Sequence, residues 1–277
     1  MAKKEANTNP NAVGLEIEKQ FKRKYGFGGA GLFESIVIAS TQVNNMSMCL
    51  STVIIAPPGT AKTSTLNDLE RIFPKTMVIF RGLVTEYHIA KMNKEDLNNK
   101  VWCVNDIVDL TKTMAKRRVA GVLTFFKNII DGHAEILVAQ ADIKLKGKVG
   151  ILVNIPRVAF DKKRGEWVST TFLDRVIPFN YDMNWDNWKE KYIENELMPI
   201  DIKPIKLKPG SIELPKKFNR KVVECADSMA TVKISGLPRN IQLVRAFLTG
   251  NAMLNGRKCV EEADFEIWDK LKSHFRW

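Results

Sequence analysis

Residues 51–64 read Ser51-Thr-Val-Ile-Ile-Ala-Pro-Pro-Gly-Thr-Ala-Lys-Thr-Ser64, an apolar run that feeds a Pro-Pro-Gly turn and ends in Lys62-Thr63. The run 51–55 is short, apolar and β-branched, as a buried parallel strand is. After the turn, Leu66, Leu69, Ile72 and Phe73 recur at helical spacing through 62–73. Strand, loop and helix in that order make a phosphate cradle. Backbone N–H groups wrap phosphate oxygens, a lysine reaches the outer phosphates and a hydroxyl serves Mg²⁺. The candidate binding residues are Pro58, Gly59, Thr60, Ala61, Lys62, Thr63 and Ser64, with Thr63 the candidate metal ligand. The motif G-x-x-x-x-G-K-[ST] is broken twice, because Ala56 and Ala61 stand where glycines belong. Ala61 fits if its dihedrals are helical, since only a positive φ excludes a Cβ there. The plainer reading is a simple turn followed by a surface helix, and the context of strand and helix argues against it.

Moving outward, 32–43 reads as a helix, 77–80 as a second strand, 101–104 as a third, 113–130 as a helix and 149–155 as another buried strand. The segment 134–142 resembles a strand. Residues 143–148 alternate Ile143 and Leu145 with Lys144, Lys146 and Lys148, so a hairpin is expected. Asp161-Lys-Lys-Arg-Gly165 reads as a charged turn, 176–179 as a last strand and 185–197 as a helix. Trp185, Trp188 and Tyr192 read as core rather than a base-stacking platform. Gly26-Phe-Gly-Gly-Ala-Gly31 matches G-x-G-x-x-G but follows Lys22-Arg-Lys-Tyr instead of a strand, so it fails as a dinucleotide motif and reads as a flexible loop. Residues 199–215 hold four prolines and read as an extended connector, after which three helical patterns lie at about 216–232, 239–254 and 261–274.

The 277 residues, 45% of them hydrophobic, are enough for one large domain or a domain with a satellite. Cys49, Cys103, Cys225 and Cys259 form no Cys-x-x-Cys pair, which argues against a zinc site or disulfide framework and for a reducing, cytoplasmic setting. No apolar run reaches the roughly 20 residues of a membrane span, and the first residues are polar rather than signal-like. The net charge of +12, from 43 Lys and Arg against 31 Asp and Glu, favours an acidic partner such as nucleic acid. The basic clusters at 19–24, 144–148, 162–164, 203–208 and 216–221 are scattered, and most read as solvated faces. His88, His133 and His274 have no partners at metal-ligand spacing.

A phosphate cradle calls for an acid at the end of a neighbouring strand to hold Mg²⁺ and polarise water. Val101-Trp-Cys-Val-Asn-Asp106 supplies one. Either Asn105 and Asp106 fill the places of an Asp-Glu pair, or Asp106 is the metal acid and Ile107 replaces the glutamate. In neither register are both carboxylates present. Taken alone, Asp106, Asn154, Arg175 and Arg239 each have a plain structural use, as caps or ion-pair partners.

In combination, Ala56 to Thr63, Asp106, Asn154, Thr171-Phe-Leu-Asp-Arg175 and Leu237-Pro-Arg239 resemble an AAA+ ATPase over about residues 30–275. The lid pattern Pro238-Arg239, Leu243 to Leu254, Gly256-Arg257, Val260 and Asp264 is most similar to the branch with MCM helicases, MoxR-type chaperones and magnesium chelatases. The resemblance implies an α/β fold, a three-layer P-loop core with a central parallel sheet over 31–200, a linker at 201–215 and an all-helical lid over 216–277. Residues 1–30 are expected to form an N-terminal extension, partly disordered. It implies ATP and Mg²⁺ as cofactors, with catalytic roles for Asp106, for Asn154 as sensor 1, for Arg175 as the finger reaching a neighbour's γ-phosphate and for Arg239 as sensor 2. A homo-oligomer follows, in that family usually a hexameric ring. The Lys144, Lys146 and Lys148 face lies where ring helicases of this branch carry a pore hairpin, so non-specific DNA binding is expected there; an edge protected by lysines is the bland alternative. The implied function is a DNA-acting ring motor or loader, helicase-like. The alternatives are a MoxR-like protein-remodelling chaperone and a slowly hydrolysing nucleotide switch, with a separate protein partner supplying specificity. The two alanines and the incomplete acidic pair bear on turnover more than on binding.

Overall fold

The computed structural model describes residues 9–81, 98–104, 116–132, 134–136, 141–143, 148–182, 186, 189, 190, 193, 199–230 and 236–276. Residues 51–64 supply an interior strand of its sheet and the start of the helix that follows. Strand β1 (Thr52–Ala56) is buried at every residue, and so, up to its last position, is the eight-residue β6 (Val149–Pro156). With β2 (Val78–Arg81), β3 (Lys100–Val104) and β7 (Ile177–Asn180) they form a five-stranded sheet in the order β2-β3-β6-β1-β7, parallel throughout. Continuous apolar, β-branched runs suit this sheet because helices cover both its faces.

Alternation along the strands sorts the side chains into two cores. Val53, Ile55, Trp102, Val104, Ile151, Val153 and Ile155 face α4 (Lys116–Ile130) and α5 (Arg157–Ser169), meeting Leu123, Phe126, Phe160 and Trp167. Ile54, Ala56, Val101, Cys103, Leu152, Ile177 and Phe179 face the opposite layer. That layer holds α1 (Ala12–Tyr25), α2 (Gly29–Ser40), α3 (Lys62–Ile72), α6 (Asn219–Ala230), α7 (Leu237–Leu254) and α8 (Glu262–Leu271). The architecture is three-layer α/β.

Several expectations change. The 26–31 glycine run is a helix junction, not a flexible loop: Gly26 closes α1 in the left-handed conformation, and α2 starts at Gly29. A Cβ on Gly31 would stand 2.3 Å from the Phe21 ring, so only glycine lets α1 and α2 pack this closely. Within the expected N-terminal extension, α1 buries Ile17, Phe21 and Tyr25. The charged 161–165 segment lies inside α5, because Phe160 and Trp167, seven residues apart, share a buried face while the charges face out. The expected hairpin exists, but both of its strands, β4 (Ala134–Ile136) and β5 (Ala141–Ile143), fall within the first expected strand or its border. Trp185, Trp188 and Tyr192 lie outside the described residues.

The C-terminal helices share the hydrophobic cluster of the sheet's second face. Helix α7 lies so close on α2 that a Cβ at Gly250 would stand 2.9 Å from the Ile36 carbonyl oxygen. Arg257 and Asp264 have a structural use. Fully buried Asp264 accepts from Arg257 Nη1 at 2.7 Å and Nη2 at 2.5 Å and from Asn251 Nδ2 at 2.7 Å. Asn11, just before α1, joins the same network through Asn251 and Arg257, each at 3.1 Å.

Candidate functional site

The chain leaves β1 through α3 on one face of the sheet and leaves the adjacent β6 through α5 on the other. Connections that diverge in this way open a crevice at the carboxyl ends of the two strands, where ligands of open α/β sheets bind. The 57–61 loop sits there. Gly59 has φ of 80° and Ala61 has φ of 58°. The expectation of helical dihedrals at Ala61 is therefore corrected, and an alanine Cβ in the left-handed region costs roughly 1–2 kcal/mol. Ala61 is the residue immediately before α3, which starts at Lys62.

Lys62 folds over its own loop. Its Nζ donates to the Ala56 carbonyl at 3.0 Å, the Pro57 carbonyl at 2.6 Å and Thr60 Oγ1 at 3.3 Å. Buried Thr60 is held from both sides, its hydroxyl donating to the Pro57 carbonyl at 2.7 Å and its carbonyl accepting from Tyr181 Oη at 2.9 Å. Burial raises the Tyr181 phenol above its ordinary value, so it remains a donor. Helix α3 has no side-chain cap. Its first N–H groups and the positive end of its dipole are thus directed at the crevice. Thr63 and Ser64 are exposed on this first turn, and Pro58 and Gly59 are exposed on the loop.

Asn154 stands beside the loop. It pairs with Ile54 in register, and its Nδ2 donates to the Lys62 carbonyl at 3.1 Å, which also accepts from Thr65 Oγ1 at 2.8 Å. Its Oδ1 is buried and has no hydrogen-bond partner among the described residues. Strand β3 ends at Val104, paired with Val153, whereas Asn105, Asp106 and Ile107 lie outside the described residues. Two further residues, Tyr181 and Arg157, stand close to this loop and strand end. Neither belongs to a recognisable sequence motif. The Arg157 guanidinium reaches across the end of β1 to Asn180 Oδ1 and lies 3.8 Å from Asp182.

Arg175 and Arg239 lie at the other end of the sheet. Arg175 closes a turn of 3₁₀ helix just before β7, and Arg239 sits in the first turn of α7, 3.6 Å from the sulfur of Met48, which precedes β1. At about 3.3 Å per residue, the five residues of β1 put these arginines on the order of 15 Å from the 57–61 loop. They meet on one carboxylate. Asp131 accepts from Arg175 Nε at 2.7 Å, lies 2.7 Å from Arg175 Nη2, and accepts from Arg239 Nη1 at 3.3 Å. In the sequence, Asp131 is marked only by an Asp-Gly pair after a helical pattern.

Lys148 differs from the expected phosphate-binding face. Its ammonium donates to the Val43 carbonyl, and burial lowers its pKa from the ordinary 10.5. Lys144 and Lys146 lie outside the described residues. No described group of three or more His, Cys, Asp or Glu could hold a metal, and no described helix is long and apolar enough to cross a membrane. A scan against protein-family models and a search of curated proteins found no match to this chain.

Proposed function

We propose that this chain binds ATP at the 58–64 loop and is a ring-forming ATPase resembling the AAA+ branch of MCM helicases, MoxR-type chaperones and magnesium chelatases. The observation that carries the reading is the crevice at the end of β1, where an uncapped helix N-terminus, Lys62 and the unpaired Oδ1 of Asn154 come together. Backbone N–H groups of 62–64 would take phosphate oxygens, and Lys62 would exchange its loop carbonyls for the outer phosphates. Asn154 would orient a water through its free oxygen while its amide holds the helix start. Mg²⁺ bound with the nucleotide would screen phosphate charge, with Thr63 and Asp106 to hold it.

Arg175 and Arg239 lie too far from their own loop to touch the same triphosphate. They would act together on that of a second copy, which supports assembly into a homo-oligomeric ring. The +12 charge favours DNA as the polymer moved. A slow nucleotide switch is the second reading, favoured by the strained Ala61 and by the carbonyl partners that Lys62 must release.

Binding of a fluorescent ATP analogue tests the first claim. Lys62→Ala is expected to weaken it by about tenfold or more, as loss of a charge-assisted contact does; unchanged affinity would remove the phosphate-loop reading. Turnover abolished by Arg175→Ala would exclude the passive switch. Binding of single-stranded DNA that falls steeply with salt supports the DNA motor, and no binding at low salt would sink it.

A further inference from the structure

Arg175 is retracted in the isolated chain. Its side chain is 13% exposed, and each of its three nitrogens has an oxygen partner in its own chain: Nε and Nη2 on Asp131, and Nη1 on the Thr171 carbonyl at 2.9 Å. Thr171 itself takes φ of 56°, a conformation rare for a β-branched residue, and so turns its carbonyl toward the guanidinium. Arg239 approaches the other oxygen of the same carboxylate from α7 at 3.3 Å. Two guanidinium groups thus converge on one oxyanion, leaving a net charge of +1. Asp131 lies in the turn after α4, so this carboxylate joins three separate elements: the end of α4, the turn before β7 and the start of α7.

We infer that Arg175 and Arg239 form a single oxyanion site, that Asp131 fills it as an internal competitor, and that a phosphate oxyanion must displace that carboxylate to be bound. The inference rests on, and deepens, the proposed role of Arg175 toward a second copy, because it adds a latch to that role. A guanidinium cannot be switched off by proton loss, so control of it has to come from an exchangeable partner. A triphosphate carries more charge than one carboxylate and offers more acceptors, and can therefore replace it on both arginines at once. Displacement would also free the first turn of α7, which Asp131 otherwise ties to the α4 end.

The ligand chemistry is a phosphate oxyanion, either free or carried on the nucleotide of a second copy, and two measurements separate these sources. In the first, inorganic tripolyphosphate is titrated into the full chain carrying Lys62→Ala, which leaves the arginine end as the site under test. Adding Asp131→Asn is expected to raise affinity about tenfold, the size of one charge-assisted hydrogen bond released. The charge-retaining Asp131→Glu should give no gain, and Arg175→Ala should abolish it. Equal or weaker binding by the Asp131→Asn chain, with its thermal melt unchanged, overturns the inference. So does a gain that survives Arg175→Ala.

In the second, ATP-driven self-association of the chain with Lys62 intact is followed by sedimentation. A gain on Asp131→Asn here as well assigns the displacing phosphate to a second copy. A gain in the titration alone keeps the site and assigns it to a free anion. Failure of the Lys62-intact chain to bind ATP would count against the proposed function and leave the tripolyphosphate result standing.

Discussion

Ala61 shows how one residue can agree with a motif in place and disagree with it in conformation. Its left-handed φ of 58° is a conformation that an alanine resists. Ala61→Gly is expected to relieve about 1 kcal/mol of loop strain, offset in part by the greater entropy of glycine in the unfolded chain. The visible result should be a few-fold tighter hold on the ATP analogue with little change in melting temperature; weaker binding would show that the alanine is needed as it stands. Glu34 raises a different question, because its carboxyl is fully buried on α2. Burial pushes its pKa well above the ordinary 4.5, and the neighbouring Thr65 hydroxyl offsets only part of this. The folded chain therefore keeps a proton that the unfolded chain loses. Its contribution to stability is full below the unfolded pKa of 4.5 and declines as pH rises through the folded value. Glu34→Gln, neutral at all pH, should flatten that decline and exceed the parent in stability at pH 8 by urea unfolding. Parallel pH profiles for the two chains would contradict this.

At the scale of elements, the strands were legible because five apolar runs have the length and composition of doubly covered parallel strands, and β1, β3, β6 and β7 fall within a residue or two of where periodicity puts them. Helix α5 was not, since five charged or glycine residues in a row look like a turn until Phe160 and Trp167 reveal the buried face. The junction of α1 and α2 was hidden for a similar reason. Its glycines mark a close approach between helices, and a single sequence does not distinguish that from flexibility. The contact of α7 with α2 has the same basis at Gly250. Gly250→Ala would force a Cβ to 2.9 Å from the Ile36 carbonyl, so a loss of about 1–3 kcal/mol is expected in chemical unfolding despite alanine's better helix propensity. A gain in stability would show that the two helices can separate without penalty.

For the whole molecule, the C-terminal helices share one layer of the fold with α1, α2 and α3. The cluster that holds Ile54 and Phe179 of the sheet also holds Leu243, Phe247 and Trp268. The Asn11, Asn251, Arg257 and Asp264 network ties the first helix to the last two. Arg257→Leu would leave the fully buried Asp264 carboxylate without its charge partner, at a cost on the order of 3–5 kcal/mol. Denaturant unfolding should shift as a single transition by both fluorescence and circular dichroism. Two separated transitions would mean that the 216–276 region unfolds on its own.

By itself, the sequence determined the strands of the sheet, the place of the 57–61 loop at the end of β1, and the candidacy of Lys62, Asn154, Arg175 and Arg239. These are local properties, carried by hydrophobic period and by short spacings that survive without knowledge of the rest of the chain. Tertiary structure alone decided which candidates meet. It set Asn154 on the helix start beside Lys62, brought Arg239 to Arg175 at the far end of β1, and put Asp131 between the two arginines. Residues 131, 175 and 239 are distant in the chain, and their encounter depends on strand order and helix packing, which no spacing along the chain encodes.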